Sequence, residues 1–432
     1  MSDPAKFARI LAWLACAAFS AVTTDGCARR VTAEPSRSNE PTARDAGAAT
    51  PTWTHDIAPL LARRCGGCHG DAATAPVAPP ALATYDQARA AATTSLRAIR
   101  RRMMPPFGAD DTGLCGTWND AAWLTDAEVA AFGAWAERGM PRGEGEPAFP
   151  PVVAEDDAAP AIVDPGVAFA PGVGGRAYRC FLAPAPKAPA RLLAGITVVS
   201  EPRAAIRQAD LYALATPAGI RQARALDATD REPGWPCFGA PAVTSATLVG
   251  SWSRNTPSQR STDRAGLPLS TARAFIAQVR YDLLASPPGV PVRARFLPAA
   301  AAPAVHRPAR LVAVRPSPFA LAPRRAQVGV SAAWTVDRAS NFRGLIPGMH
   351  TLGRTLDLEV VSRAGTRRCL AHFGHWDIYD RQLFRAAAPV PLEPGDQVGL
   401  TCTYATSSRD ADTKMGEAPD EEQCLAHLYL VD

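Results

Sequence analysis

"DQVGLTCTY", residues 396–404, is a short β-prone run set between Gly/Pro turns, and the C-terminal part of the chain repeats that texture. "LLAGITVV" (192–199), "ARAFIAQVRYDL" (272–283), "ARLVAV" (309–314), "TLDLEVV" (355–361) and "CLAHLYLV" (424–431) are runs of the same kind. Many short strands with frequent turns predict antiparallel β-sandwiches. The stretch is too long for one small sandwich, so two are expected, at 162–300 and 309–432, joined through "LPAAAAPAVHRPA" (297–309).

Upstream the texture is helical. "DIAPLLARRC" places Ile57, Leu60 and Leu61 inward, and "TYDQARAAATTSLRAIRRR" places Tyr85 and Leu96 inward. "TDAEVAAFGAWAERGMP" opens with Thr125 as N-cap and Glu128 three residues later, a capping box, and stops at Gly139 before Pro141. These elements predict a small all-α unit over 52–140. The polar segment 28–51 reads as a flexible tether, and the acidic, Pro-rich segment 141–161 as a second linker.

The length of 432 residues fits about two to three domains, and 47% hydrophobic against 20% charged residues suits a globular protein. The net charge of +5 comes almost wholly from scattered Arg, with lysine only at Lys6, Lys187 and Lys414. There is no basic run with interleaved aromatics, so nucleic acid is not an expected partner. Lys6 and Arg9 lead into a segment that is apolar from Ile10 to Val22, too short to span a bilayer and of signal-peptide length. Export to the periplasm or cell envelope is therefore expected over 1–27. Cys27 follows as a candidate lipid anchor, the one predicted contact with a membrane, although Thr24 and Asp25 make a poor lipobox.

Export makes disulfides expected. Cys16 and Cys27 fall in the signal region and Cys65 and Cys68 in a motif of their own, leaving Cys115, Cys180, Cys237, Cys369, Cys402 and Cys424 for bridges of undetermined connectivity.

"CGGCH", Cys65 to His69, is the C-x-x-C-H attachment signature of c-type haem. Two thiols on one helical turn reach two vinyl groups, and the next residue offers its imidazole to the iron. "RRMMPPF" supplies a methionine held by a double proline, with Met104 as the expected sixth ligand and Met103 as its neighbour alternative. A zinc half-site or redox disulfide is the other reading of C-x-x-C-H. The export signal, the helical surroundings and the Met-Pro-Pro favour haem. Segment 52–140 resembles small mono-haem cytochromes c, which implies one haem c, one-electron transfer, and a redox partner protein or small electron donor.

Several β-module stretches resemble the copper type II, ascorbate-dependent monooxygenases: "GWPCFGAP" (234–241), "LVGSW" (248–252), "GMHTLGR" (348–354), "WDIYDRQLF" (376–384), "PLEPGDQVGLTCTY" (391–404) and "GEAPDEEQCLAHLYL" (416–430). The resemblance implies two jelly-roll lobes with one copper on each. Relatives with a fused N-terminal cytochrome c share the layout. It also implies a Cys402–Cys424 pair and, more weakly, Cys180–Cys237.

Carried over residue by residue, the first copper's ligands fall on Arg207, Gln208 and Arg280, and the second's on Gly348, His350 and Gln423. Only His350 holds an imidazole. His-x-His grips a metal because residues i and i+2 of a strand share a face about 7 Å apart; Gly348 removes that grip. Copper is therefore not an expected cofactor and no catalytic residue is assigned, though a small-molecule ligand of the β module is. The competing reading is an active copper monooxygenase fed with electrons by the haem. Met349 and His350 are expected on one strand, pointing to opposite faces. His372, His375 and His427 read as ordinary histidines, and Asp420, Glu421 and Glu422 as a solvated turn. No G-x-S-x-G elbow or phosphate loop occurs.

Overall fold

The computed structural model describes residues 50–70, 79–119, 121–147, 162–171, 178–186, 192–201, 205–254, 265–283, 289–298 and 307–432. The signal segment, Cys27 and the 28–49 tether lie outside them, as does His306.

Between residues 53 and 137 the described elements are helical. A π-helical turn, Trp53–Ile57, runs into Ala58–Arg64, Gly66–His69, Tyr85–Arg100 and Asp126–Glu137. Both long helices begin with reciprocal capping boxes, Thr84 with Gln87 and Thr125 with Glu128, which satisfy amide donors that the first turn would otherwise orphan. Gly139, at φ +90°, ends the last helix. Trp53, Ile57, Leu61, Leu96, Phe132 and Trp135 form a shared core. The N–H of Trp53 donates to Pro141 O at 2.9 Å, closing the unit's two ends on each other.

The expected 52–140 span is not one packing unit. After Pro105–Pro106, which cannot continue a helix, the chain crosses to the C-terminal lobe. Phe107, Ala109, Trp118 and Ala122 join that lobe's core, with Phe107 and Trp118 edge-on to Phe384 at 5.3 and 6.1 Å. Gly108 N donates to Asp380 Oδ2 at 2.6 Å, and Cys115 is bridged to Cys369. Aromatic residues in a segment without periodicity were the available sign of this strap.

From residue 168 onward the chain is mostly β. In the first lobe a four-stranded sheet runs in the order Tyr178–Pro184, Ala274–Tyr281, Ile206–Leu214, Ala246–Ser253, beside a three-stranded sheet of Ala168–Phe169, Val292–Pro298 and Ile196–Glu201. One helix, Pro217–Asp227, capped by Thr216, interrupts a region that the sequence presents as all strand. In the second lobe Val328–Thr335, Gln397–Tyr404, Gly353–Val361 and Arg367–Phe373 form another four-stranded sheet.

A six-stranded sheet joins the lobes. Its edge order is Phe384–Leu392, Ser340–Gly348, Leu425–Val431, Arg307–Val314, Ala265–Pro268, Leu192–Leu193. The last two strands belong to the first lobe, and Ala265–Pro268 pairs with Arg307–Val314 in parallel, so the two β lobes share a sheet that includes a short parallel pairing. The period of two explains how this sheet serves both cores. On Leu425–Val431, Ala426, Leu428 and Leu430 face the second lobe's core, while Tyr429 and Val431 face the first's. A strand buried on both faces reads as the unbroken apolar run seen in "LAHLYLV".

Arg179 shows how the first lobe carries a buried charge. Its fully buried guanidinium donates to Asp230 Oδ2 at 2.7 Å and to the carbonyls of Glu232, Pro233 and Gly234 at 2.8–2.9 Å. Every face of the charge that matters for burial is hydrogen-bonded.

Candidate functional site

Two places gather chemistry-bearing side chains. The first is the C-x-x-C-H turn. Cys65 and Cys68 are free thiols, whereas Cys115–Cys369, Cys180–Cys237 and Cys402–Cys424 are bridged. Burial pushes the Cys65 thiol up to about 12, and burial also raises Cys68, so both stand as neutral thiols. His69 Nδ1 lies 2.8 Å from Pro80 O. A carbonyl only accepts, so Nδ1 carries the proton and Nε2 the lone pair, the tautomer a metal-binding histidine requires. Met103 and Met104 are 61% and 41% exposed, both outside the apolar core. Two unpaired thiols and a tethered imidazole therefore share one turn. Charges that act on Cys68 include Arg254, Arg207 and Asp282 of the first lobe.

The second place is a cavity of about 20 Å³ between the lobes. Gln208, Asp210, Gln278 and Arg280 line it from the first lobe, and Met349, His350 and Arg381 from the second, with Tyr178 and Phe238 closing it. Of the positions carried over from the copper proteins, Gln208, Arg280 and His350 meet here. Arg207 turns aside to pair with Asp282 at 3.4 Å. Gly348 and Gln423 are neighbours: a Cβ on Gly348 would sit 3.8 Å from Gln423 Oε1.

Met349 and His350 do not sit on opposite faces of a strand. The strand ends at Gly348, and both residues lie in the following turn, both buried and both lining the cavity. The acidic run is a solvated turn at Asp420 but not at Glu422. Glu422 is fully buried and accepts N–H from His350 at 2.9 Å and Leu352 at 2.6 Å, while Glu421 O accepts from His350 Nδ1 at 2.8 Å. These bonds hold the backbone and ring of His350 together. The Cys180–Cys237 bridge holds Phe238 in place, and Phe238 meets the His350 ring edge-on at 4.8 Å. Burial lowers the pKa of His350, which stays neutral with its Nε2 lone pair free of any hydrogen-bond partner among the described residues. His372 pairs with Asp357 at 2.6 Å, and His427 is driven down to about 3 by burial. Among the described residues no group of three or more His, Cys, Asp or Glu is arranged to hold a metal ion.

Residues that composition and spacing do not single out are Tyr178, Tyr379 and Arg381. Arg207 and Arg280 stack on Tyr379 with centroid distances of 4.1 and 3.9 Å, and Arg280 also lies 4.9 Å from Tyr178. They come from separate strands and loops, so no short motif announces them.

Residues 347–431 match the family model described as copper type II ascorbate-dependent monooxygenase, C-terminal domain. That match covers the turn bearing His350, the strap's docking strands and both cysteines of the Cys402–Cys424 bridge. A search of curated proteins found no match. Solved structures with some likeness include infectious bursal disease virus Gt strain, at 11% identity, TM-score 0.19, 64% of this chain and 58% of that one. The VP2 subviral particle of the same virus aligns at 12% identity and TM-score 0.19, over 64% and 59%. A two-domain protein of unknown function from Bacteroides fragilis aligns at 6% and 0.15, over 59% and 85%. The chain spans somewhat over half the length of the two viral structures.

Proposed function

We propose that this protein is an exported c-type cytochrome that passes single electrons through one haem attached at Cys65 and Cys68. His69 and Met104 would hold its iron, and the haem domain is fused to a monooxygenase-like β module that works without copper. The observation that carries this reading is the C-x-x-C-H turn, with its two unbridged thiols and an imidazole tethered through Nδ1 to Pro80 O. A haem with both axial positions filled moves electrons and does not bind oxygen. The chain's own part is to hold the thiols and the imidazole on one turn. The residues in the copper positions, Arg207, Gln208, Arg280, Gly348 and Gln423, are not copper ligands, and cationic Arg280 opposes a dication. Periplasmic or envelope location, anchored or not at Cys27, is part of this reading, as is a redox partner protein or small donor.

The family match over 347–431 favours a second reading, an active copper monooxygenase that hydroxylates an organic substrate with electrons from the haem domain. The tautomer of His350, with Nε2 open, also suits a metal ligand. Iron and copper measured per chain, after expression in a host that matures cytochromes c, separate the two. Stoichiometric haem iron without copper is expected. Copper near one or two per chain after exposure to excess metal would sink the copper-free assignment, and absence of covalent haem would sink the cytochrome assignment.

A further inference from the structure

We infer that the cavity between the lobes binds a small oxyanion of carboxylate geometry, held by Arg280 and Gln278. This inference does not depend on haem attachment.

The floor of the cavity is a polar patch two residues wide on two adjacent antiparallel strands. Gln208 is in register with Arg280, and Asp210 with Gln278. Within each strand these positions are two apart, so all four side chains leave the same face of the sheet. The intervening residues, Ala209 and Val279, are apolar and fill the first lobe's core. A sheet face turned toward a packed partner lobe is ordinarily apolar; this patch is polar and buried, with Gln208, Asp210 and Gln278 at 6, 3 and 4% exposure.

The patch also leaves its hydrogen bonds unmade. Gln278 Nε2, Arg280 Nη1, Gln208 Oε1, Asp210 Oδ1 and His350 Nε2 are all buried without a hydrogen-bond partner among the described residues. Such atoms cost free energy unless something pairs with them. The orientation of Gln278 is set from the other side, because its Oε1 accepts from Tyr212 OH at 3.3 Å, which turns Nε2 inward as a donor.

Charge decides the sign of the ligand. Asp210 faces Arg381 at 3.7 Å, and Asp282 takes up Arg254 at 2.7 Å and Arg207 at 3.4 Å. Arg280 has no carboxylate partner among the described residues. It is braced only by the faces of Tyr379 and Tyr178. The contrast with Arg179, whose guanidinium is satisfied by a carboxylate and three carbonyls, marks Arg280 as a cation prepared for an anion that arrives from outside. Guanidinium with an amide N–H beside it matches the two oxygens of a carboxylate. The free acceptors, Asp210 Oδ1 and His350 Nε2, suit a ligand that also donates an O–H.

Volume limits the size. The polar end of the cavity is small, about 20 Å³, so the group held against Arg280 is the size of one carboxylate.

The test is isothermal titration of the full mature protein in a buffer free of carboxylates, with sodium formate, sodium bicarbonate, sodium chloride and neutral acetamide in separate runs. Saturable one-site binding of formate or bicarbonate is expected, tighter for bicarbonate because of its O–H, with no saturable binding of acetamide or chloride. Arg280→Met should weaken binding roughly tenfold or more, and Arg280→Lys, which keeps the charge and loses the fork, by less. Absence of saturable binding by either oxyanion overturns the inference, as does unchanged affinity in Arg280→Met with wild-type circular dichroism. If Arg280→Met does not fold, Gln278→Leu supplies the same comparison, and density for formate against Arg280 Nη1 in soaked wild-type crystals decides independently.

Discussion

His69 and His350 are held by the same device in different surroundings. Each points Nδ1 at a backbone carbonyl 2.8 Å away, Pro80 O for one and Glu421 O for the other, which fixes the tautomer and leaves Nε2 as the basic nitrogen. The difference lies in the company each keeps. His69 ends the turn that also carries two unbridged thiols. His350 meets the ring of Phe238 edge-on and has no thiol beside it in sequence; the nearby copper-type positions are Gly348 and Gln423. A tethered imidazole is therefore a necessary part of a metal site and not a sufficient one; the neighbouring donors decide.

The largest expected effect tests that contrast directly. Cys65→Ser with Cys68→Ser should abolish covalent haem, read as loss of haem stain on a denaturing gel, because the thioether bonds have no other anchor. On the proposed reading His69→Ala should leave the stain and change the spectrum and reduction potential, since it would remove an iron ligand. His350→Ala should leave stain, spectrum and potential unaltered and cost about 1–3 kcal/mol of stability through its lost packing and hydrogen bonding. A haem spectrum that followed His350 in place of His69 would reverse the assignment.

A second experiment attempts to erase the difference. Gly348 lies at the end of its strand, and a Cβ there would meet Leu425 at 3.5 Å and Gln423 at 3.8 Å, ordinary contact distances. Gly348→His with Gln423→Met would place two further donors beside His350. Three protein ligands are the usual minimum for a stable catalytic-type metal site. The double variant should retain about one copper per chain after dialysis, by elemental analysis, and Gly348→His alone should retain much less. Equal copper in the wild type would mean that His350 already has partners enough.

The two sites were unequally legible in the sequence. C-x-x-C-H is a local motif, so Cys65, Cys68 and His69 could be read without knowing the fold. The strands could be read because each run carries its own turns, and the capping box at Thr125 because its parts are three residues apart. The cavity was half legible: resemblance pointed to Gln208, Arg280 and His350, but Asp210, Gln278, Tyr379 and Arg381 converge only through sheet register and a loop. The strap failed to show for a related reason. Phe107 and Trp118 look like members of the helical unit beside them, and only the bridge from Cys115 to Cys369, far along the chain, places them in the C-terminal lobe. Glu422 misled most, since an acidic run is ordinarily solvated, and this carboxylate is buried because two amide N–H groups of the His350 turn need an acceptor.

That burial gives the smallest effect and a sign that can be checked. Burial raises Glu422 to about 7, above the ordinary range for a glutamate. Between those values the folded chain holds a proton that the unfolded chain has lost. The contribution of Glu422 is therefore fully present below the unfolded pKa and is lost as pH rises through about 7. Asp380, raised to about 8 by burial, acts in the same direction. His350 acts in the opposite one: its pKa is lowered, so its contribution is present above the ordinary histidine value and is lost as pH falls. Glu422→Gln keeps an acceptor for one of the two N–H groups and removes the titration. Its unfolding free energy, from urea titration, should fall less between pH 5 and pH 8 than that of the wild type, by a difference on the order of 1–2 kcal/mol. Asp380 remains, so the decline should shrink and not vanish. An unchanged decline would mean that Glu422 stays ionised, held by the two N–H groups of the His350 turn, and that the rigidity of His350 owes more to charge than to burial.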